Sequence, residues 1–315
     1  MIVATFNRQN ILSASIRSIL NQTFTDFELI IIDDCSTDNT WDVLEKVAVT
    51  DTRIRLLQTP NNCGCNLARN FAIKQAKGKY IAIMDDDDIS LPIRLESQVD
   101  FLDQNTQYGI IGSTVKYIVE NDLLNTTVPP RQVAKQVPDD SISLFKQIYL
   151  SKYIVPNTTL MFCSEVIKKH GYPLVRYNGA DVTLILQLAA LGIKIHLIPE
   201  PLVLMRRGAS HKQMTLKLNR IHLGRRRRIR DISNWLENHN IDRFNHLYSV
   251  AKKNVTVKHF IETAARKKNV TGLLIYFKAL ALNPTFTLSA TSNLIRRKLA
   301  GVEKNWLVDF DSVSH

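Results

Sequence analysis

Phe27-Glu28-Leu29-Ile30-Ile31-Ile32 admits few folds. The continuous apolar run Leu29–Ile32, three of its residues β-branched, is expected of a strand covered on both faces, the condition of strands in parallel sheets flanked by helices. The surrounding chain repeats the theme. Ile2-Val3-Ala4-Thr5-Phe6 reads as a first strand, followed by a helical pattern with Ile11, Leu12, Ile16, Ile19 and Leu20 on one face. After Phe27–Ile32 comes a helix through Trp41, Val43, Leu44 and Val47, which Ser36 or Thr37 is expected to cap. Arg53–Leu57 is a third strand, Asn61–Gly64 a loop and Asn66–Lys77 a third helix. Gly78–Met84 is a fourth strand. This β-α-β-α-β-α-β order builds a mostly parallel sheet, so the fold class is α/β.

The fourth strand runs into Asp85-Asp86-Asp87-Asp88, with a helical pattern beginning soon after at Arg94, Leu95, Gln98, Val99 and Leu102. Ligands of open α/β sheets bind at the carboxyl ends of strands, where these four carboxylates fall. Packed so closely, they raise one another's pKa values unless a cation lies among them. A divalent metal shared with a substrate diphosphate satisfies the charge, since Mg²⁺ or Mn²⁺ needs only one or two protein carboxylates. A solvated acidic turn favouring the helix N-terminus is the other reading of this stretch. No Gly-x-Gly-x-x-Gly and no Gly-x-x-x-x-Gly-Lys-[Ser/Thr] is present. A dinucleotide or P-loop site is therefore not expected.

Composition adds a division of the chain. The net charge is +12, but residues 1–210 carry 21 Lys and Arg against 22 Asp and Glu, whereas residues 211–315 carry 20 against 7. The excess of the last third implies an acidic partner surface. No apolar stretch approaches the roughly 18 residues of a membrane span, and Arg8 interrupts the short apolar start, so no secretory signal is expected. Four cysteines suit a reducing cytosol. Cys63-Gly64-Cys65 has no second Cys or His pair at zinc spacing.

Five segments occur in order: Thr5-Phe6-Asn7-Arg8, Ile32-Asp33-Asp34-Cys35-Ser36-Thr37-Asp38, Ala68-Arg69-Asn70, Gly78-Lys79-Tyr80-Ile81 and Asp85–Asp88. Together they resemble family 2 glycosyltransferases of the GT-A fold, over about residues 1–210. The resemblance implies a Rossmann-like, mostly parallel central sheet with flanking helices and an inverting, metal-dependent transfer from a nucleotide-diphosphate sugar. It places Thr5, Asn7, Arg8, Asp34, Arg69, Asp85 and Asp86 around the nucleotide sugar. Asp34 would accept from a uracil imide, Asp85 would lie near the ribose and Asp87 on Mn²⁺ or Mg²⁺. Residues two apart on an extended segment share a side, which would let Asp85 and Asp87 converge. Read alone, Asp33 and Asp34 would be helix-capping residues and Arg69 a solvated one.

The middle of the chain is expected to serve the acceptor. Ile110-Ile111-Gly112 and Lys116–Val119 are strand-like, a polar stretch runs from Asn121 to Asp140, and Val155–Phe162 resembles the family strand before a helix at Ser164–His170. Many members carry His where this chain has Asn157. Asp181 precedes an apolar helix, Val182–Leu191, closed by Gly192. The resemblance makes Asp181 the catalytic base; by position alone it would cap that helix. Lys194–Pro199 and Pro201–Arg206 read as two final strands. Met205–His211 resembles a loop that folds over the nucleotide, where Arg207 or His211 could reach the diphosphate or metal, or remain a surface cation.

The expected division is a catalytic domain at 1–210 (1–110 for the nucleotide sugar, 111–210 for the acceptor) and a basic helical region at 211–315. Arg225–Arg228, the apolar segment Val270–Leu282 and Ile295–Lys298 suit an anionic membrane surface bearing a lipid-linked or glycan acceptor. A helical cap with a solvated basic face is the alternative, and nucleic acid is not expected as a partner. Processive relatives carry Gln-x-x-Arg-Trp and membrane spans, which are absent here, so one sugar per encounter is expected. The expected setting is the cytoplasm, or the cytoplasmic face of a membrane, in surface polysaccharide assembly. Competing readings are a sugar nucleotidyltransferase, which needs a glycine-rich basic loop where Asn7-Arg8-Gln9-Asn10 stands, and a non-catalytic nucleotide-sugar or nucleic-acid binder.

Overall fold

A computed structural model describes residues 1–119, 138, 140–150, 155–175, 179–207, 218–266, 270–284 and 287–288. In chain order its elements are β1 (Ile2–Thr5), α1 (Leu12–Leu20), β2 (Leu29–Asp33), α2 (Thr40–Ala48), β3 (Ile54–Gln58), α3 (Cys65–Gln75), β4 (Tyr80–Asp85), β5 (Ile89–Ser90) and α4 (Arg94–Gln104). Then come β6 (Tyr108–Val119), α5 (Ser141–Tyr149), a 3-10 turn (Asn157–Thr159), β7 (Met161–Cys163), α6 (Ser164–His170), α7 (Ala180–Ala190) and β8 (Lys194–Arg207). Three helices follow: α8 (Leu218–Asn238), α9 (Leu247–Arg266) and α10 (Val270–Leu282).

The described residues form two compact units. The first comprises 1–139, 155–174 and 193–211, and holds one sheet in the order β3-β2-β1-β4-β7-β6-β8-β5. From β3 to β4 the pairings are parallel. The short β7 then runs antiparallel to both β4 and β6, while β6 and β8 are parallel. The expected parallel alternation thus builds one half of a mixed sheet. In that half β2 lies between β3 and β1, and its Leu29, Ile30, Ile31 and Ile32 are wholly buried, as a strand covered on both faces requires. α1 supplies Leu12, Ile16 and Ile19 to this core at helical spacing. Each such side chain contributes about 1.5–3 kcal/mol on burial.

Two boundaries differ from the sequence reading. The segments expected as pairs of strands are single long ones, β6 and β8. Pro199 and Pro201 mark an interruption in sequence, but the ladder absorbs it as a bulge: Ser113 pairs with Ile198 and Thr114 with Pro201, while the Thr114 hydroxyl donates to the Pro199 carbonyl at 2.8 Å. After the acidic run the helix begins at Arg94 as expected, but the intervening segment holds a short strand. This strand, β5, pairs with β8 before α4 begins.

The second unit comprises 140–154, 175–192 and 212–315. α7 is buried on nearly every side, from Val182 to Ala190, as a helix apolar all round must be. It packs on α5 and α8, and α9 packs on α5, α8 and α10. Phe145 stacks on Phe244 with ring centroids 4.0 Å apart, and the Tyr149 hydroxyl donates to the Ile229 carbonyl at 3.1 Å. Arg243 donates to the Ala190 carbonyl at 2.6 Å, satisfying the last turn of α7. Gly192 follows at φ +89°, the expected helix stop. The division by contacts and the linear division at 210 are different partitions, because 140–154 and 175–192 group with the later helices.

Candidate functional site

Register gathers the expected donor residues. In the parallel ladders Thr5 sits opposite Asp33 and Ala4 opposite Asp85, so β1, β2 and β4 end side by side. Their carboxyl ends bring Thr5, Asp34 and the acidic run to one sheet edge.

At the β2 end, Asp33 and Asp34 are buried and have separate tasks. Asp33 accepts from the Ser36 backbone N–H at 3.1 Å, from the Ser36 hydroxyl, and from Gln58 at 2.9 Å. Asp34 faces the loop after β3: its Oδ1 accepts from the Thr59 hydroxyl and the Cys63 N–H, each at 2.9 Å, and its Oδ2 from the Gly64 N–H at 2.7 Å. The Cys63 thiol adds a 3.1 Å contact to Oδ1, and burial together with this carboxylate pushes the thiol up from its ordinary pKa. Gly64 adopts φ +90° at the start of α3.

The capping expectation fails here for a local reason. Ser36 Oγ accepts from the Asn7 N–H at 2.9 Å, and the Asn7 carboxamide accepts from the Thr37 N–H at 2.8 Å. Neither side chain caps α2; Asp38 accepts from the Thr40 N–H instead, at 3.0 Å. Asn7 (φ +54°) and the Arg8 N–H, which donates to Thr40 Oγ1 at 2.8 Å, thereby brace the β1–α1 loop against the β2–α2 loop.

At the β4 end, the backbone turns rather than staying extended. Asp86 and Asp87 form a turn in which the Asp88 N–H meets the Asp85 carbonyl at 3.4 Å, so the extended-strand reason for pairing Asp85 with Asp87 does not apply. Asp85 and Asp87 are nonetheless the half-exposed members, while Asp86 and Asp88 are buried. Asp86 lies 3.5 Å from Arg8 Nε, yet burial raises its carboxyl to about 7; Asp87 and Asp85 add to the rise, and Arg8 and Thr5 oppose it. Asp88 accepts from the Arg206 N–H at 3.0 Å and is raised well above the ordinary carboxylate range, by burial first and then by Asp87 and Asp85.

Asp85 is held most closely. Arg69 Nη2 lies 2.7 Å from its Oδ1, and Asn157 Nδ2 donates to the same oxygen at 3.2 Å. The Asn157 carbonyl accepts from the Tyr172 hydroxyl at 2.7 Å, and the Tyr172 ring lies 5.6 Å from the Arg69 guanidinium carbon. Beneath the run, Arg94 is fully buried, its Nη2 donating to the Ile83 carbonyl at 2.8 Å and its Nε to Gln98 at 3.1 Å. Burial lowers its pKa to about 9, against the pull of Asp85 and Asp88. Gln98 in turn donates to the Thr159 carbonyl at 2.8 Å.

The donor set fits a divalent cation. It is all oxygen, it sits at a strand end, and two of its carboxyls, Asp86 and Asp88, are held toward the neutral form by burial and by the neighbouring Asp87 and Asp85, a cost that a nearby cation relieves. Among the described residues no cluster of three or more His, Cys, Asp or Glu forms a ready-made cage.

Asp181 lies in the first turn of α7, in the second unit, behind Gly179 at φ +101°; a Cβ on Gly179 would collide with Arg228 Nη1. Arg207 closes β8, opposite Val119. Its side chain, His211, Ile295–Lys298 and most of Asn121–Asp140 lie outside the described residues. In the sequence Arg94 and Gln98 have only a place in a helical pattern and Asn70 only a place in a motif, and Tyr172 is not singled out. A signal for two of them existed: Arg94 and Gln98 fall on the same helical face as Leu95 and Leu102, where polar residues occupy core positions.

The family model for glycosyl transferase family 2 matches residues 1–170. The chain belongs to that family. A glucosyltransferase of Escherichia coli, WfaP, named as UDP-Glc:α-D-GlcNAc-diphosphoundecaprenol β-1,3-glucosyltransferase, is 36% identical over 197 residues, 62% of this chain and 71% of its own length. Among solved structures, S. aureus TarS 1–349 in complex with UDP has a TM-score of 0.62 at 19% identity, covering 95% of this chain and 86% of that one. The Pyrobaculum calidifontis mannosyltransferase PcManGT, in complex with GDP-Man and Mn²⁺, has a TM-score of 0.56 at 19% identity, covering 97% and 86%. These structures carry the GT-A fold, and so does this member of family 2. No helix among its described residues is long and apolar enough to cross a membrane.

Proposed function

We propose that this family 2 member transfers one sugar per encounter, with inversion, from a UDP-linked sugar to a hydroxyl of a glycan or lipid-linked acceptor in surface polysaccharide assembly. One observation carries the reading: Thr5, Asp34 and the Asp85–Asp88 turn share a single sheet edge, fixed by the registers Thr5 to Asp33 and Ala4 to Asp85. The WfaP name, with its UDP-Glc donor and diphosphoundecaprenol acceptor, supports the donor and acceptor classes. The Mn²⁺ in the PcManGT complex supports a metal.

In this reading Thr5, Asn7, Arg8, Asp34, Arg69, Asp85 and Asp86 surround the nucleotide sugar, and Asp87 holds Mg²⁺ or Mn²⁺. A bound divalent ion lowers the charge on the diphosphate and makes it a better leaving group. Asp181 takes the proton of the acceptor hydroxyl as that oxygen bonds to the anomeric carbon, while the bond to the diphosphate oxygen breaks and the nucleoside diphosphate departs with its electron pair. Arg207 or His211 contacts the diphosphate. Residues 1–210 serve as the catalytic segment. Residues 211–315 meet an anionic surface on the cytoplasmic face of a membrane; the exposed apolar side chains Phe277, Leu282 and Leu288, with Lys278, support that contact.

The test is nucleotide release from a panel of sugar nucleotides offered with diphosphate-lipid acceptors, with Mn²⁺ and with chelator. Release from a UDP-sugar that chelator abolishes is expected. Failure of every donor with Mn²⁺ present would overturn the proposal.

A further inference from the structure

We propose that Tyr172 is a positioning residue that aims the Asp85 carboxylate at the donor ribose, acting through Asn157 and Arg69. The inference rests on the reading of Asp85 given above and adds to it the residues that make its orientation unique.

A half-exposed carboxylate at a strand end would ordinarily sample several rotations. Asp85 does not have that freedom. Two cationic or polar groups converge on one of its oxygens, Arg69 at 2.7 Å and Asn157 at 3.2 Å, both on Oδ1. Its backbone is pinned as well: the Asp85 N–H donates to Thr158 Oγ1 at 3.2 Å, and its carbonyl accepts from Ser15 Oγ at 3.4 Å. With Oδ1 occupied twice, Oδ2 is the oxygen left to accept from a ribose hydroxyl.

Both supports depend on Tyr172. A carboxamide can present either its nitrogen or its oxygen to a neighbour. The Tyr172 hydroxyl, donating at 2.7 Å to Asn157 Oδ1, fixes the choice so that Nδ2 faces Asp85. The same ring lies under Arg69, with 5.6 Å between guanidinium carbon and ring centroid, a distance at which the cation is held over the aromatic face. Tyr172 is itself immobilised. Asn70, next to Arg69 in sequence, donates to its carbonyl at 2.8 Å and accepts from its N–H at 2.7 Å. Gly171 ahead of it takes φ +62°, and a Cβ there would press on the Asn70 carboxamide at 3.1 Å. Tyr172 is only 2% exposed, so its ring has little room to swing away from Arg69 and Asn157. Arg69, Asp85, Asn157 and Tyr172 thus close a ring of contacts that engages Asp85 through Oδ1.

The experiment compares binding of UDP, 2′-deoxy-UDP and 3′-deoxy-UDP, each with Mn²⁺, to the full chain and to Tyr172→Phe, Asn157→Ala and the double variant. Wild type is expected to prefer UDP over at least one deoxy nucleotide by about tenfold or more. Tyr172→Phe, which removes one oxygen and leaves the ring, is expected to lose about three- to tenfold of that preference, the range of one neutral hydrogen bond. In turnover the donor KM should rise while kcat stays near wild type. The Tyr172→Phe effect should largely vanish in the Asn157→Ala background, since both act through one carboxylate. A Tyr172→Phe variant with undiminished ribose preference overturns the inference, as does an equal loss of affinity for all three nucleotides. Wild type that binds none of the three would instead remove the underlying reading of the site.

Discussion

Arg94 donates from Nη2 to the carbonyl of Ile83 at 2.8 Å, two residues before the acidic turn, and does so from a fully buried position. Its hydrogen-bond partners are neutral: the Ile83 and Leu160 backbone carbonyls, the Gln98 amide and the Met84 sulfur. A buried cation of this kind survives because Asp85 and Asp88 lie near enough to favour its charge.

Arg94→Ala is therefore expected to cost about 3 kcal/mol or more, from the cavity and from the unsatisfied Ile83 carbonyl. Arg94→Met should cost less, because it fills the space. Urea unfolding monitored by intrinsic fluorescence measures both; an alanine variant as stable as wild type would contradict the assignment.

Asp34 organises the loop after β3 by accepting from Thr59, Cys63 and Gly64. In Asp34→Asn the new NH₂ group cannot accept from one of these donors, and a loss of about 1–3 kcal/mol follows. The Cys63 thiol, freed from its carboxylate contact, should also label faster with a maleimide, as read by peptide mass mapping. Unchanged labelling of Cys63 would count against this role for Asp34.

Asp87→Ala and Asp181→Ala are expected to abolish transfer for different reasons. Only the first should weaken binding of UDP with Mn²⁺, because Asp181 acts on the acceptor. Calorimetric titration with UDP and Mn²⁺ separates the two. Normal turnover in Asp181→Ala would remove the base assignment.

Asp140 caps α5 by accepting from the Ser143 N–H at 2.7 Å, which holds its carboxyl below the usual range. A carboxyl lowered in the folded state contributes stability above its unfolded pKa of about 3.9 and loses it as pH falls through the folded value. Asp140→Ala should cost about 0.5–1 kcal/mol at pH 7, modest because the cap faces solvent. The difference from wild type should shrink as pH falls below the unfolded value. A thermal-melt difference unchanged across that range would argue against the cap.

Phe277, Leu282 and Leu288 are exposed, as is Lys278. Flotation with anionic vesicles should carry the chain, zwitterionic vesicles should not, and 0.5 M salt should weaken the anionic binding on the order of tenfold or more. Phe277→Glu should reduce it too. Equal flotation with both vesicle types would defeat the electrostatic part of the reading.

The left half of the sheet was legible because each strand and helix there announces its period within a dozen residues. Ile30–Ile32 and the Leu12, Ile16, Ile19 stripe are local facts. The acidic run is legible by composition and a turn is one of its two readings, but the Arg206 N–H that binds Asp88 comes from far along the chain and is not. Tyr172 was invisible for the same reason: its partner Asn70 is 102 residues away. The two prolines near 200 signalled a break that the long ladder tolerates as a bulge. Asn157 was noticed as a departure from the family's His, but only its tertiary neighbours give it a task.

The second unit is threaded from three separate stretches, 140–154, 175–192 and 212–315. A shortened version ending at 210 would keep α5 and α7 but strip Phe145 of Phe244, the Tyr149 hydroxyl of the Ile229 carbonyl, and the last turn of α7 of Arg243. The described part of the basic region from α8 to Phe244 is therefore no detachable tether. Anyone hoping to graft it elsewhere, or to trim it away for crystallisation, would be pulling apart the scaffold that carries Asp181.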